Sequence, residues 1–203
     1  MGLDLSLYET LNGFASRHDV AGDVFEFIGK QALPLFVLLL AVLFLARGKW
    51  RSENARHGVV AAGFSALLAL GVAHLISDLW DRARPYEAHP GHAHLLVAAS
   101  PDPSFPSDHA TAAFAIAVAI ALRSRRAGWI ALAMAVAVSI SRVAVGTHYP
   151  SDVLGGALIG AAAALVLWVP PIRRPLHRLA EFASALHERI ATRVLGRPSH
   201  SPS

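Results

Sequence analysis

Two short polar clusters flank the mostly apolar residues 110–140 and contain side-chain types suited to phosphate chemistry. The first cluster is Phe105-Pro106-Ser107-Asp108-His109, and the second contains Ser141, Arg142, His148 and Asp152. A histidine can attack phosphorus when one ring nitrogen is protonated and hydrogen-bonded and the other is free. Arginine side chains and the amides at a helix start bind phosphate oxygens. Together the clusters predict metal-free phosphoryl transfer, provided that the fold brings them to one surface.

The chemistry of each side chain predicts its role. His148 is the expected nucleophile, Asp152 is expected to accept its Nδ1 proton, and His109 is expected to protonate the leaving oxygen. Water would then hydrolyse a phosphohistidine. The candidate phosphate-binding residues are Arg84, Ser107, Ser141 and Arg142, with Asp108 beside them. Some of these residues also have ordinary structural interpretations: Ser107 suits a helix N-cap, Arg142 can reach the membrane interface, and Asp108 either tunes His109 or favours a helix start.

The composition indicates how these residues are positioned, because it is typical of a membrane protein. Of the 203 residues, 54% are hydrophobic and only 16% are charged, whereas soluble domains carry about a quarter charged residues. Apolar runs long enough to suggest about five membrane-spanning helices alternate with polar segments. The predicted spans cover residues 31–46, 57–76, 109–122, 127–141 and 153–169. The third and fourth would form a hairpin that returns the second polar cluster to the membrane face of the first.

Charge and periodicity predict the rest of the architecture. Basic groups follow the first, third and fifth spans, so these ends are expected in the cytoplasm and both polar clusters on the extracytoplasmic face of the cytoplasmic membrane. Residues 3–16 are expected to form an amphipathic helix, either on the membrane surface or against the protein's own flank, and 172–195 a basic amphipathic helix. The prediction is therefore an all-α polytopic bundle. Its single domain covers 1–195 with a core at 57–169, followed by a disordered tail at 196–203.

The sequence also excludes several classes of function. It contains no cysteine, so thiolate catalysis and disulfides are excluded. No basic stripe interleaved with aromatic residues is present, so no nucleic-acid partner is expected. His89, His92 and His94 lie in a Gly/Pro loop without a matching set of carboxylates, so no metal or other cofactor is predicted. The expected partners are a lipid phosphate substrate and the membrane lipid itself.

Three motifs resemble the signatures of the type-2 phosphatidic acid phosphatase superfamily. They are Arg84-Pro85, Pro106-Ser107-x-His109 and Ser141-Arg142-x5-His148-x3-Asp152, and the resemblance covers about residues 57–169. It implies the same roles for the histidines, the aspartate and the phosphate-binding residues as their chemistry does. One position departs from the pattern, because Ser77 stands where the family has a lysine. Arg82 is then a further candidate phosphate-binding residue that supplies the missing charge, unless it is simply exposed to solvent.

The Ser-Asp-His form of the second motif is most similar to bacterial undecaprenyl pyrophosphate phosphatases. That resemblance implies hydrolysis of undecaprenyl pyrophosphate to undecaprenyl phosphate and phosphate, in recycling of the lipid that carries peptidoglycan precursors. A phosphatase for phosphatidic acid or phosphatidylglycerophosphate is the alternative within the same class. A non-catalytic transporter or lipid-binding protein is the alternative from another class. The complete set of His148, Asp152 and His109 disfavours it, because binding alone needs the arginines and not a histidine with a fixed tautomer.

Overall fold

The computed structural model describes residues 2–46 and 52–195, and every regular element in these two ranges is an α-helix. The helices are α1 (Leu3–Arg17), α2 (Asp19–Leu45), α3 (Glu53–Leu79), α4 (Pro85–Ala88), α5 (Asp108–Ala121), α6 (Arg125–Ala144), α7 (Pro150–Trp168) and α8 (Pro170–Leu195). The predicted all-α bundle is thus confirmed. The predicted disordered tail at 196–203 and part of the basic loop after α2 lie outside the described residues.

Four of the helices, α2, α3, α6 and α7, are long and apolar enough to cross a membrane. The fifth apolar segment, α5, has 14 residues, or about 21 Å at 1.5 Å per residue. All five predicted segments are therefore helical, but only four of them are long enough to be candidate spans, and most of the helices extend beyond the predicted bounds. The first span was expected over 31–46, whereas α2 already begins at Asp19, because backbone hydrogen bonding continues through polar residues that hydropathy does not count. The chain is a multi-pass membrane protein.

The amphipathic helix α1 packs on the bundle and also presents an apolar stripe outward. Tyr8 and Asn12 are fully buried against the protein, whereas Leu3 and Leu7 are exposed. Of the two positions predicted for this helix, the one against the protein's flank is confirmed, and the one on the membrane surface stays a prediction. Asn12 lies on the inner side of the helix although its side chain is polar. It is buried because its amide bonds with the backbone of His94 and donates to the carbonyl of Ala144.

Helices α5 and α7 meet backbone to backbone, which fixes the relative position of the two polar clusters. A Cβ atom added at Gly156 would lie 2.6 Å from the carbonyl oxygen of Ser107, and one at Gly160 would overlap the carbonyl of Thr111. Only glycine permits this approach, as the small residues along the fifth span predicted. The start of α7, with Asp152, therefore lies directly against the start of α5, with Ser107. The Ser107 amide in fact donates to the Asp152 carbonyl at 3.1 Å.

Candidate active site

The first turn of α7 holds the carboxylate of Asp152. Pro150 occupies the first helical position, which suits its fixed φ, and Asp152 is at the third, where its side chain accepts from the Tyr149 amide at 2.8 Å. The hydroxyl of Ser104 donates to the same carboxylate oxygen at 2.6 Å. Asp152 is completely buried, so these donors replace the water that an ionised carboxylate requires. The carboxylate is consequently fixed in place.

The ring of His148 is buried in the loop before α7 and is oriented by a backbone group. Its Nδ1 lies 2.8 Å from the carbonyl oxygen of Ser104 and 3.8 Å from Oδ2 of Asp152. The sequence predicted a direct hydrogen bond to Asp152, but the carbonyl takes that place. A carbonyl oxygen can only accept, so Nδ1 carries the proton and Nε2 is the unprotonated nitrogen with a lone pair. The tautomer needed for nucleophilic attack is therefore fixed by Ser104.

Arg84 places a positive charge beside this free nitrogen. Its Nη1 lies 3.4 Å from Nε2 of His148, and only 5% of the residue is exposed. The guanidinium donates to three backbone carbonyls, those of Asp102, Pro103 and Thr147. These contacts hold the guanidinium in place, and because carbonyls are neutral they do not cancel its positive charge. A phosphate attacked by Nε2 would meet Arg84 directly.

Two polar atoms in this region are buried and have no hydrogen-bond partner among the described residues, the Oγ of Ser107 and the Nε of Arg142. Ser107 occupies the N-cap position of α5, as predicted, but its side chain makes no capping bond. A buried polar atom without a partner costs about 1–3 kcal/mol, so it marks a place where a ligand can supply the missing bond. Phosphate oxygens would accept from both residues.

His109 and Asp108 begin α5 and lie between the polar site and an apolar cavity of about 260 Å³. The other walls of this cavity come from α2, α3 and the next turns of α5, through Ala32, Leu33, Phe36, Leu70, Ala112, Ala113 and Ile116. His109 is close enough to His148, Arg84 and Arg142 for their charges to act on it. His109 can thus contact a phosphate in the polar site and, on its other side, an apolar chain bound in the cavity.

The two other predicted phosphate-binding residues have partners within the protein. Arg82 directs its guanidinium to carboxylates, with Nη1 at 2.5 Å from Asp152 and Nη2 at 2.8 Å from Asp4. The hydroxyl of Ser141 donates to the Val138 carbonyl of its own helix at 2.8 Å. Neither residue therefore adds an unpartnered atom to the group formed by Ser107 and Arg142.

Sequence reasoning missed Ser104 and Asp4. Ser104 acts on His148 through its backbone carbonyl, and a carbonyl leaves no signature in a sequence. Asp4 lies in the first turn of α1, where an acidic residue is ordinary, and its contacts cross most of the chain. Two of the three loop histidines that raised the question of a metal contact α1, since His92 lies 3.6 Å from Glu9 and the His94 backbone bonds with Asn12, and the ring of the third, His89, lies against Tyr149. Within 2–46 and 52–195, no group of three potential ligands converges.

Burial and neighbouring charges favour the neutral form of His148. Burial lowers the pKa of His148 below its usual value of 6.5, and the positive charges of Arg84 and Arg142 lower it further. Asp152 acts in the opposite direction, but its charge is already shared with Arg82. A neutral imidazole with a free Nε2 is the form that can attack phosphorus.

Two characterised or named bacterial proteins are similar to this chain in sequence. The sequence is similar to the undecaprenyl-diphosphatase BcrC of Bacillus subtilis (strain 168), with 27% identity over 157 residues that cover 77% of this chain and 78% of that protein. It is also similar to the putative undecaprenyl-diphosphatase YbjG of Escherichia coli (strain K12), with 32% identity over 170 residues that cover 82% of this chain and 83% of that protein.

Two solved structures share the fold. The crystal structure of Aquifex aeolicus LpxE matches with a TM-score of 0.66 at 24% identity, over 82% of this chain and 94% of that chain. A PAP2-type phosphatidylglycerolphosphate phosphatase from Bacillus subtilis matches with a TM-score of 0.56 at 25% identity, over 83% and 86%. The sequence profile of the PAP2 superfamily matches residues 58–174, which is more than half of the chain and includes His109, His148 and Asp152. The chain therefore belongs to the PAP2 superfamily and is a membrane lipid phosphatase.

Proposed function

We propose that this phosphatase hydrolyses undecaprenyl pyrophosphate to undecaprenyl phosphate and inorganic phosphate, through a phosphohistidine formed on His148. The observation that carries the proposal is the surroundings of Nε2 of His148. This nitrogen carries an unprotonated lone pair that accepts from Nη1 of Arg84 at 3.4 Å. The buried side-chain atoms of Ser107 and Arg142 that lack a partner among the described residues belong to the same part of the site. Such a cluster can bind a phosphate group and attack it.

In the first step, Arg84, Arg142 and Ser107 bind the oxygens of the terminal phosphate. Nε2 of His148 attacks its phosphorus, a P–N bond forms, and the P–O bond to the lipid-linked phosphate breaks. His109 donates a proton to the oxygen that leaves. The imidazole becomes positively charged while Nδ1 keeps its proton and donates it to the Ser104 carbonyl, and the nearby carboxylate of Asp152 stabilises that charge.

In the second step, His109, now neutral, removes a proton from water. The resulting oxygen attacks phosphorus, the P–N bond breaks, and inorganic phosphate leaves. His148 returns to its neutral form with Nε2 free. Catalysis depends on positioning the reacting groups and on neutralising the charge of the phosphate, which are the main ways in which proteins accelerate phosphoryl transfer.

The apolar cavity beside His109 supports a lipid substrate. A chain attached to the leaving phosphate would pass His109 and Asp108 into the space bounded by Leu33 and Phe36 of α2. A cavity of about 260 Å³ accommodates only the first part of a polyprenyl chain, so the remainder would lie in the bilayer. The names of the relatives BcrC and YbjG support a polyprenyl pyrophosphate over other lipids.

The arrangement of charge supports an active site on the extracytoplasmic face of the cytoplasmic membrane. Basic residues lie at the opposite end of the bundle from His148, at the turn between α5 and α6 and at the start of α8. They include Arg123, Arg125, Arg126, Arg173 and Arg174. Basic residues favour the cytoplasmic side, so the site would face outward. This is the side on which a lipid carrier is recycled after it has delivered its cargo.

Phosphate release from the purified protein in detergent, with chelator present, tests the proposal. Undecaprenyl pyrophosphate should be hydrolysed faster than phosphatidic acid or phosphatidylglycerophosphate. His148→Ala should abolish release without changing the melting temperature, whereas His92→Ala, at an exposed loop histidine, should leave the rate unchanged. Radioactive phosphate trapped on the protein should be acid-labile and stable in base, as expected for phosphohistidine.

Other outcomes would assign a different function. Faster hydrolysis of phosphatidylglycerophosphate would favour the activity named for the Bacillus subtilis structural neighbour. No release from any of the three lipids, together with retained binding, would indicate a non-catalytic lipid-binding protein. Equal rates for the unaltered protein and His148→Ala would refute the phosphohistidine.

A further inference from the structure

Asp152 is fixed by an arginine as well as by Ser104 and Tyr149. Its Oδ1 accepts from Nη1 of Arg82 at 2.5 Å, and Arg82 lies 4.2 Å above the ring of Tyr149. The carbonyl of Arg82 also accepts from the Ser104 amide at 2.7 Å. Arg82 therefore contacts both groups that orient or stabilise His148.

Arg82 is in turn held by Asp4 of helix α1. Oδ2 of Asp4 accepts from Nη2 of Arg82 at 2.8 Å and from the hydroxyl of Ser151 at 2.5 Å, and Oδ1 accepts from the Ser151 amide at 2.9 Å. The Ser151 hydroxyl also accepts from Nη1 of Arg82 at 2.7 Å. These bonds form a closed ring between the start of α1, the loop before α4 and the start of α7.

Helix α1 is anchored so that Asp4 stays in this position. Tyr8, one turn further on, is fully buried and its hydroxyl donates to the carbonyl of Gly146, two residues before His148. Asn12, another turn on, donates to the Ala144 carbonyl at 2.9 Å. Asp4, Tyr8 and Asn12 thus follow the four-residue spacing of one helix face. They fasten α1 to the segment that carries the nucleophile, although α1 lies outside the part of the chain that matches the family.

We propose that Asp4 and Arg82 are positioning residues for the phosphohistidine reaction, and that Asp4 preserves the negative charge on which His148 depends. Asp152 and Arg82 alone would form a neutral pair. With Asp4 the group has one net negative charge, which stabilises the positive imidazole formed when Nε2 attacks. The proposal rests on the proposed function and deepens it. It also gives Arg82 a role that does not require contact with phosphate.

Asp4 is suited to carry this charge. Burial raises the pKa of its carboxyl, but hydrogen bonds from Ser151 and Arg82 outweigh burial and leave the pKa below its usual value. The charged or titratable groups that act on His148 from the surrounding elements are Arg84, Asp108, His109, Arg142 and Asp152. Asp4 and Arg82 do not act on His148 directly; their effect reaches it through Asp152.

The test measures kcat, KM and the acid limb of kcat/KM with undecaprenyl pyrophosphate. Asp4→Asn removes one negative charge, so it should lower kcat roughly tenfold, leave KM within about twofold, and move the acid midpoint to lower pH. Arg82→Gln removes one positive charge and should move the midpoint to higher pH while also lowering kcat. Asp4→Glu restores the charge and should bring the midpoint back. Glu9→Gln, the same charge change on the same helix without contact to Arg82, should match the unaltered protein.

If the acid midpoint of kcat/KM moves to lower pH in Asp4→Asn and to higher pH in Arg82→Gln, the two residues act through their charge and not only by supporting the fold. If Asp4→Asn lowers kcat and the melting temperature but leaves the midpoint unmoved, Asp4 only supports the fold and the proposal is wrong. If Asp4→Asn behaves as Glu9→Gln does while His148→Ala is inactive, the proposal fails and the proposed function stands. If the unaltered protein releases no phosphate, both fail together.

Discussion

The Nδ1 nitrogen of His148 lies 2.8 Å from the backbone carbonyl oxygen of Ser104, about one ångström closer than it lies to Asp152. In hydrolases that use a histidine with a carboxylate, the carboxylate commonly sets the tautomer. Here a carbonyl sets it, and no side-chain substitution removes a carbonyl. In the proposed mechanism, Asp152 would then stabilise the positive charge of the imidazole and would not set its tautomer.

Replacement of Asp152 by asparagine tests this division of roles. Asp152→Asn should lower kcat roughly 10²-fold, less than the loss of about 10⁴-fold that follows when the carboxylate alone sets the tautomer. Phosphate release at saturating substrate gives the value, with the melting temperature as a control for folding. A folded Asp152→Asn protein as inactive as His148→Ala would show that the carbonyl of Ser104 is not sufficient.

Activity should persist in mildly acidic solution. The pKa of His148 is lowered by burial and by Arg84 and Arg142, so the ring stays neutral until the pH falls below the usual histidine value of 6.5. Protonation then removes the lone pair of Nε2, and kcat/KM falls. A profile of kcat/KM against pH should place the acid midpoint below 6.5. A midpoint above that value would mean that Asp152 outweighs burial.

Ser107 and Ser52 both occupy N-cap positions but should respond differently to alanine. Ser52 accepts a hydrogen bond from the Ala55 amide, so Ser52→Ala should cost about 1 kcal/mol of stability and leave kcat/KM unchanged. The hydroxyl of Ser107 has no partner among the described residues, so Ser107→Ala should preserve the melting temperature and lower kcat/KM roughly tenfold. Thermal melting and phosphate release measure both effects. A destabilised but active Ser107→Ala would show a capping role instead.

The contact between α5 and α7 should be sensitive to a single methyl group. A Cβ at Gly160 would overlap the Thr111 carbonyl and lie 2.7 Å from the Ala115 amide nitrogen, whereas nothing lies within 4 Å of a Cβ at Gly71. Gly160→Ala should therefore lower stability by about 1–3 kcal/mol and reduce kcat, because it moves His109 relative to His148. Gly71→Ala is the matched control and should not lower the melting temperature. Equal melting temperatures for the two variants would contradict the backbone contact.

The helices and the main members of the site could be predicted from the sequence because both have local signals. Hydropathy locates the spans, and the spacing of Ser141, Arg142, His148 and Asp152 singles out the second cluster. The bond between Asp4 and Arg82 could not be predicted, since it joins residues 78 positions apart through ordinary surface side chains. The orienting role of Ser104 depends on a backbone atom. Ser107 was predicted to cap α5, but its hydroxyl is buried and has no bond to any residue within 2–46 and 52–195, which only the packing of α7 determines.

The glycine contact between α5 and α7 also limits the places where a long lipid chain could enter the site. Helices that touch without intervening side chains cannot part or slide without losing that contact, so the two histidines form one rigid frame. The facing wall of the His109 cavity belongs to α2, through Ala32, Leu33 and Phe36, and most of the surface of α2 faces outward. Under the proposed function, a polyprenyl chain would therefore reach the site past α2 and not between α5 and α7.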